Sequence, residues 1–160
     1  TVAIEQGRLS LSLAPVLLAK LIREVSETYF GRYNTSGNRL VLDLDETLPP
    51  ISADHARITQ VVINLLSNAV QHTQDGIITI SLFQGEEEQV VSVADTGEGM
   101  QEKIRREVFK GYVSENEEYW RHGIGLYVSH QIIESHDGTI HIESKLGEGT
   151  AVTFALPDRR

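Results

Sequence analysis

The stretch Asp54–Thr73, DHARITQVVINLLSNAVQHT, limits the possible folds more than any other part of the chain. At about 100° per residue, Ile58, Val61, Val62, Ile63, Leu65, Leu66, Ala69 and Val70 fall on one broad apolar arc, which predicts a helix with one face in a core. The opposite arc gathers Gln60, Asn64, Ser67, Asn68, Gln71 and His72, none formally charged, with Asn64, Asn68 and His72 rising in i, i+4 steps. A solvated helix face is normally built from Lys, Glu and Arg, because the Asn amide competes for the backbone and weakens helix. Two asparagines in mid-helix therefore leave two readings. They are either amides in buried hydrogen bonds, or oxygen donors for a hard cation such as Mg²⁺ that arrives with the phosphates of a nucleotide.

On either side the chain alternates helix and strand signals. Thr1–Arg8 reads as the end of a helix that belongs to something upstream. Leu9, Leu11 and Leu13 alternate with serines as a half-buried strand does, and Pro15 stands where a helix can begin, running to about Tyr33. Arg39–Leu44 alternates as a strand, Leu48-Pro49-Pro50 stops it, and Asp54 is placed to cap the central helix. Ile77–Phe83 and Gln89–Ala94 form a hairpin, and Thr139–Glu143 and Thr150–Leu156 supply two more strands. Between Thr96 and His122 lie many charges and glycines with little period, which predicts a mobile lid holding a short helix near Glu102–Phe109. Helical spacing resumes from Gly123 to Ser135. Interleaved hairpins and crossovers predict an α/β two-layer sandwich of a mixed, mainly antiparallel sheet and helices.

At 160 residues one domain is sufficient, spanning residues 9–158 after the upstream junction at 1–8. The net charge of −9 argues against nucleic acid as a partner, since phosphate-backbone binding draws on clustered Lys and Arg. The absence of cysteine excludes a disulfide framework and thiolate metal sites, and so permits a cytoplasmic setting.

Three Gly-x-Gly pairs punctuate the second half. Gly97-Glu98-Gly99 follows a strand, Gly123-Ile124-Gly125 is placed to open a helix, and Gly147-Glu148-Gly149 leads into the last strand. A glycine-lined helix start presents free N–H groups and the positive dipole end to phosphate. The second pair is neither a dinucleotide-binding fingerprint nor a P-loop, since Val128 replaces the third glycine and no G-x-x-x-x-G-K-[ST] occurs. Asp95, ending an apolar strand, is half-buried beside a backbone that a flat ligand can approach. It reads either as an acceptor for an adenine amino group or as an Asx-turn cap on the Thr96-Gly97 bend.

The order Asn64-Leu-Leu-Ser-Asn68, Asp95-Thr-Gly97-Glu-Gly99, His122-Gly123-Ile-Gly125-Leu126 and Gly147-Glu-Gly149-Thr150 resembles the catalytic, ATP-binding domain of sensor histidine kinases. That domain has the Bergerat fold shared with gyrase, mismatch-repair and chaperone ATPases. The resemblance implies Asn68 as the Mg²⁺ ligand, Asn64 near the phosphates and Asp95 as the adenine-reading carboxylate. Gly97 and Gly99 would admit the ring, Gly123, Gly125 and Leu126 would lie at the phosphates, and Thr150 would support the adenine end. Gln71, His72, Met100, Arg121, His122 and Ile124 complete the implied nucleotide-binding set. Val108-Phe109 and Tyr112 resemble the lid's aromatic box, with Lys110-Gly111 in place of Glu-Pro. Gln71 stands where a phosphate-facing cation is common, and Arg121 replaces a glycine, so a closing lid could bring that guanidinium to the phosphates.

By this resemblance the chain binds Mg²⁺-ATP or ADP and donates the γ-phosphoryl group to a histidine on a separate dimerisation domain. From there the group passes to a response regulator, within a homodimeric parent kinase that is cytoplasmic or membrane-anchored. None of the six histidines has the helical context of a phosphoacceptor, so none is taken as catalytic, and His130 and His141 read as surface. Two alternatives stand beside this reading. One is a non-catalytic nucleotide-sensing or docking module. The other is a gyrase- or chaperone-type ATPase, which Asn64 disfavours because an amide is no general base.

Overall fold

A computed structural model describes residues 4–5, 8–109 and 117–158, with side chains over 9–109 and 125–158. A five-stranded sheet runs in the order β4 (Arg39–Leu44), β6 (Ile77–Gln84), β7 (Glu88–Asp95), β9 (Gly149–Pro157), β8 (Thr139–Lys145). Only β4 and β6 are parallel, as expected of strands joined through a crossover, here carrying α2 (His55–Gln71). The other pairs are antiparallel, so the sheet is mixed and mainly antiparallel as predicted. Its inner face carries Ile78, Ile80, Leu82, Val91, Val93, Val152 and Phe154, all buried beneath α1 (Leu18–Tyr33), α2 and α4 (Glu117–Ser135).

The central helix forms as its pattern requires. Ile58, Val61, Val62, Leu65, Leu66, Ala69 and Val70 are buried, and Ile63 is partly buried against the same core. Asp54 caps it by accepting from the Arg57 N–H at 3.1 Å, while its other oxygen accepts from the Ser12 N–H at 2.9 Å. The backbone N–H of Asp54 donates to His136 Nε2 at 2.9 Å, and His136 Nδ1 donates to the Ile132 carbonyl at 2.9 Å. One buried imidazole thus ties the start of α2 to the end of α4.

Several expectations are corrected. Pro15 does not start a helix: Ala14–Val16 is a short strand, β3, antiparallel to β5 (Ile51–Ala53), and α1 begins at Leu18. In a two-stranded ribbon both strands are edges, so the missing proline N–H is tolerated. Leu11 and Leu13 are not in a strand, and Leu13 is exposed. Within 1–8, Ile4–Glu5 (β1) pairs with β2 (Arg8–Leu9), so these described residues are extended where the sequence predicts helix.

The segment after β7 holds a short helix, α3 (Glu102–Glu107), close to the predicted place. Residues 110–116 lie outside the described set, and with them Tyr112 of the aromatic box. The helix expected to open at Gly123 starts at Glu117 instead, so helix covers the last part of the predicted 96–122 lid. An interior glycine costs a helix only about 1 kcal/mol, too little to end it alone.

Candidate functional site

Register places the site. Along β7, Val91 and Val93 point to the core, and the next position on that face is Asp95 at the strand's end. Asp95 is paired with Thr150, and Thr150 with Ser144, so one cross-strand row carries a carboxylate and two hydroxyls beyond the last apolar row. Asp95 Oδ1 accepts from the Gly97 N–H at 2.9 Å and the Thr150 N–H at 3.1 Å. The first contact is the Asx turn, and the second reaches across the sheet. Burial pushes the Asp95 carboxyl above its usual range, and the two amide donors pull in the opposite direction.

A second layer of contacts fixes the row. Ser144 Oγ accepts from the Met100 N–H at 2.8 Å, donates to the Gly149 carbonyl at 3.1 Å and lies 2.7 Å from Thr150 Oγ1. Sequence reasoning missed Ser144, although the signal was present: Ile140, Ile142 and Ser144 alternate inward along β8 as Val91, Val93 and Asp95 do along β7. Close approach explains two glycines. A Cβ on Gly97 would lie 2.2 Å from the His72 carbonyl oxygen, and one on Gly149, at φ +94°, would lie 2.1 Å from the Asp95 carbonyl oxygen. At both places the neighbour is the protein's own backbone.

The row opens into a cleft of about 580 Å³, with Asp95, Ser144, Gly149 and Thr150 on the sheet side and Glu102 and Arg105 on α3. Gln71, His72 and Gly97 line a second, polar cleft of about 450 Å³ at the end of α2. His72 is buried, and its Nδ1 lies 2.8 Å from Glu98 Oε1. Met100 and Leu126 are buried in the core.

Asn64 and Asn68 are half-buried on the arc opposite the core. Asn64 lies under α4: its Nδ2 is 3.5 Å from the Gly125 carbonyl, and α2 and α4 are in extensive contact. The structure therefore joins Asp95, Gly149 and Thr150 in one cleft and Gln71, His72 and Gly97 in another, with Asn64 packed against α4.

Gly123 and Gly125 do not open a helix; both lie inside α4, where their amides belong to the helix ladder. The side chains of Arg121, His122 and Ile124 lie outside the described residues. His130 is more than surface, since its ring stacks on Phe109 at 4.8 Å and Nε2 meets Glu134 at 2.8 Å, whereas His141 is exposed.

Among the described residues no group of three or more His, Cys, Asp or Glu side chains could hold a metal. A cation here would depend on neutral amide oxygens and on its own anionic ligand, and half-buried Asn68 would be the residue to offer such an oxygen. No described helix is long and apolar enough to cross a membrane.

Residues 53–160 match the family described as histidine kinase-, DNA gyrase B- and HSP90-like ATPase. The adaptive-response sensory kinase SasA of Gloeothece citriformis is 31% identical over 155 residues, covering 94% of this chain and 39% of that protein. The chain thus spans less than half the length of this relative. Among solved structures, the catalytic domain of histidine kinase ThkA superposes with a TM-score of 0.80 at 26% identity, covering 93% of this chain and 97% of that one. ThkA in complex with response regulator protein TrrA gives 0.76 over 91% and 42% at the same identity. Full-length ShkA in complex with AMPPNP gives 0.80 at 29% identity, over 92% of this chain and 31% of that one. Family match, relatives and fold agree with one another: the chain belongs to the histidine kinase-, DNA gyrase B- and HSP90-like ATPase family, as an ATP-binding catalytic domain of the sensor histidine kinase type.

Proposed function

We propose that this chain binds Mg²⁺-ATP and presents the γ-phosphoryl group to a histidine on a separate dimerisation domain, from which it passes to an aspartate of a response regulator. The observation that carries this reading is Asp95, a half-buried carboxylate held by two backbone amides at the end of β7 with the Thr150 hydroxyl beside it. Such a pair suits the amino edge of adenine. Asn68, and Asn64 one turn earlier, would take the metal and phosphate end. With no basic side chain at Asn64 or Gln71, the chain's part in the chemistry is to orient the nucleotide and balance its charge, and Mg²⁺ when bound supplies the main neutralisation.

The solved ThkA–TrrA complex supports a response regulator as a downstream partner. The reading also carries a homodimeric parent whose catalytic part faces the cytoplasm, with residues 1–8 as the junction to the dimerisation domain. The test is transfer of radiolabel from γ-labelled ATP to a histidine-bearing dimerisation domain supplied in trans. Acid-labile label on that domain is expected with Mg²⁺ and the parent chain, and none with Asn68→Ala. Nucleotide binding with no transfer under any condition would instead leave a nucleotide-sensing or docking module.

A further inference from the structure

Ser144 is half-buried on β8 and appears in none of the sequence motifs, yet its hydroxyl makes three polar contacts at the site. A serine hydroxyl has one proton to donate and two lone pairs to accept with. Here one lone pair takes the Met100 N–H at 2.8 Å, and the proton goes to the Gly149 carbonyl at 3.1 Å. The remaining contact, 2.7 Å to Thr150 Oγ1, can then be made only if Thr150 is the donor. With its proton committed to Ser144, the Thr150 oxygen is left with lone pairs alone. The neighbouring Asp95 has Oδ1 occupied by two N–H groups, and its carboxylate likewise offers nothing but acceptors.

We propose that Ser144 is a positioning residue for base selection: its hydroxyl fixes Thr150 as an acceptor toward the cleft, so that the Asp95–Thr150 wall selects a ring edge bearing N–H donors. The inference rests on the nucleotide reading above and deepens it. A 6-amino purine presents donors at that edge, whereas a 6-oxo purine presents a carbonyl oxygen that would face two acceptors. Without Ser144, the Thr150 hydroxyl turns freely and can donate to a carbonyl, so the wall loses its polarity while keeping its shape. The Met100 N–H contact adds a second consequence, because Met100 stands immediately before the Gln101 cap of α3, and Ser144 therefore holds the approach of α3 to the wall.

Calorimetry on the 160-residue chain with ADP and with inosine 5′-diphosphate tests this. The parent is expected to prefer ADP, and Ser144→Ala to bring the two affinities closer by about tenfold, the worth of one hydrogen bond at a polar site. Ser144→Thr, which keeps the hydroxyl, is expected to retain the parent's ratio, and exchange of the Met100 amide to quicken in Ser144→Ala alone. Should Ser144→Ala not fold, Ser144→Cys carries the same expectation, since a thiol is a weak donor and a weak acceptor. Equal loss for both nucleotides, or an unchanged ratio in Ser144→Ala and Ser144→Cys, overturns the role of Ser144 and leaves the nucleotide reading standing. A parent chain that binds neither nucleotide overturns both.

Discussion

Asp95 serves two opposed demands. Its place at the end of an inward-facing row buries the carboxylate, and burial disfavours the charge that a donor-bearing ligand would seek. A folded-state pKa above the unfolded one means that the native chain holds the proton more tightly. Stability therefore falls as pH rises from the ordinary carboxylate range, about 4, through the raised value, and stays lower above it. Asp95→Asn keeps an oxygen for the Gly97 and Thr150 N–H groups and removes the buried charge. Denaturant titrations across that pH window should show the decline in stability reduced in the variant. Calorimetry should show ADP binding weakened by about 1.5–3 kcal/mol, the range for a hydrogen bond to a charged group. Undiminished affinity would remove Asp95 from the site, whatever happened to stability.

At the scale of elements, α4 is where sequence and structure part. Its glycines were legible as a pair, but their place was not. Helical spacing in the sequence resumes only at Gly123, which places the Gly123-Ile124-Gly125 pair at a helix start, whereas the helix continues through it from Glu117. The central helix was legible down to its cap because eight apolar residues share one arc and a single acidic residue precedes them. The β3–β5 ribbon was not, since three-residue strands containing proline carry no alternation to detect. Asp95 and Thr150 could be picked out singly, but the contact between them depends on β9 lying beside β7, a register no local pattern states. His136 escaped for the same reason: its partner Asp54 is 82 residues away. The α4 finding has its own consequence. A Cβ on Gly125 would lie 3.7 Å from Asn64 Cβ, an ordinary contact, so Gly125→Ala fits this packing and should stabilise the helix by about 1 kcal/mol. If phosphate is held by amides that α4 must release, the same change should weaken an ATP analogue more than ADP. A higher melting temperature with unchanged affinity for both would show that phosphate binding needs no such release.

At the scale of the molecule, the sheet has one face under three helices and another that mixes polar side chains with the exposed Ile77 and Phe83. Ser81, Ser92, Thr153 and His141 form one row across it. The layered half carries an acceptor wall on the sheet and an amide-bearing arc on α2, the two ends of the proposed nucleotide site. Among the described residues neither half shows a group placed to finish a reaction on ATP. Asn64 occupies the arc where a water-activating carboxylate would be needed, and an amide cannot take a proton at neutral pH. Of the described histidines, His136 is buried with both ring nitrogens engaged, His72 lies against Glu98, His130 is stacked on Phe109, and His55 and His141 are exposed with neither followed by Glu or Asp. The isolated chain should therefore bind Mg²⁺-ATP without consuming it. Neither phosphate release nor self-labelling should exceed a protein-free control, and bound nucleotide should be recovered as the triphosphate. Asn64→Glu should not change this, because a base helps only when a water is already held in line with the phosphorus, and the Asn64 side chain faces the backbone of α4. Steady phosphate release by the parent chain would place a general base elsewhere in it and make the domain an ATPase in its own right. Release appearing only in Asn64→Glu would mean instead that a positioned water was already present and lacked only a proton acceptor.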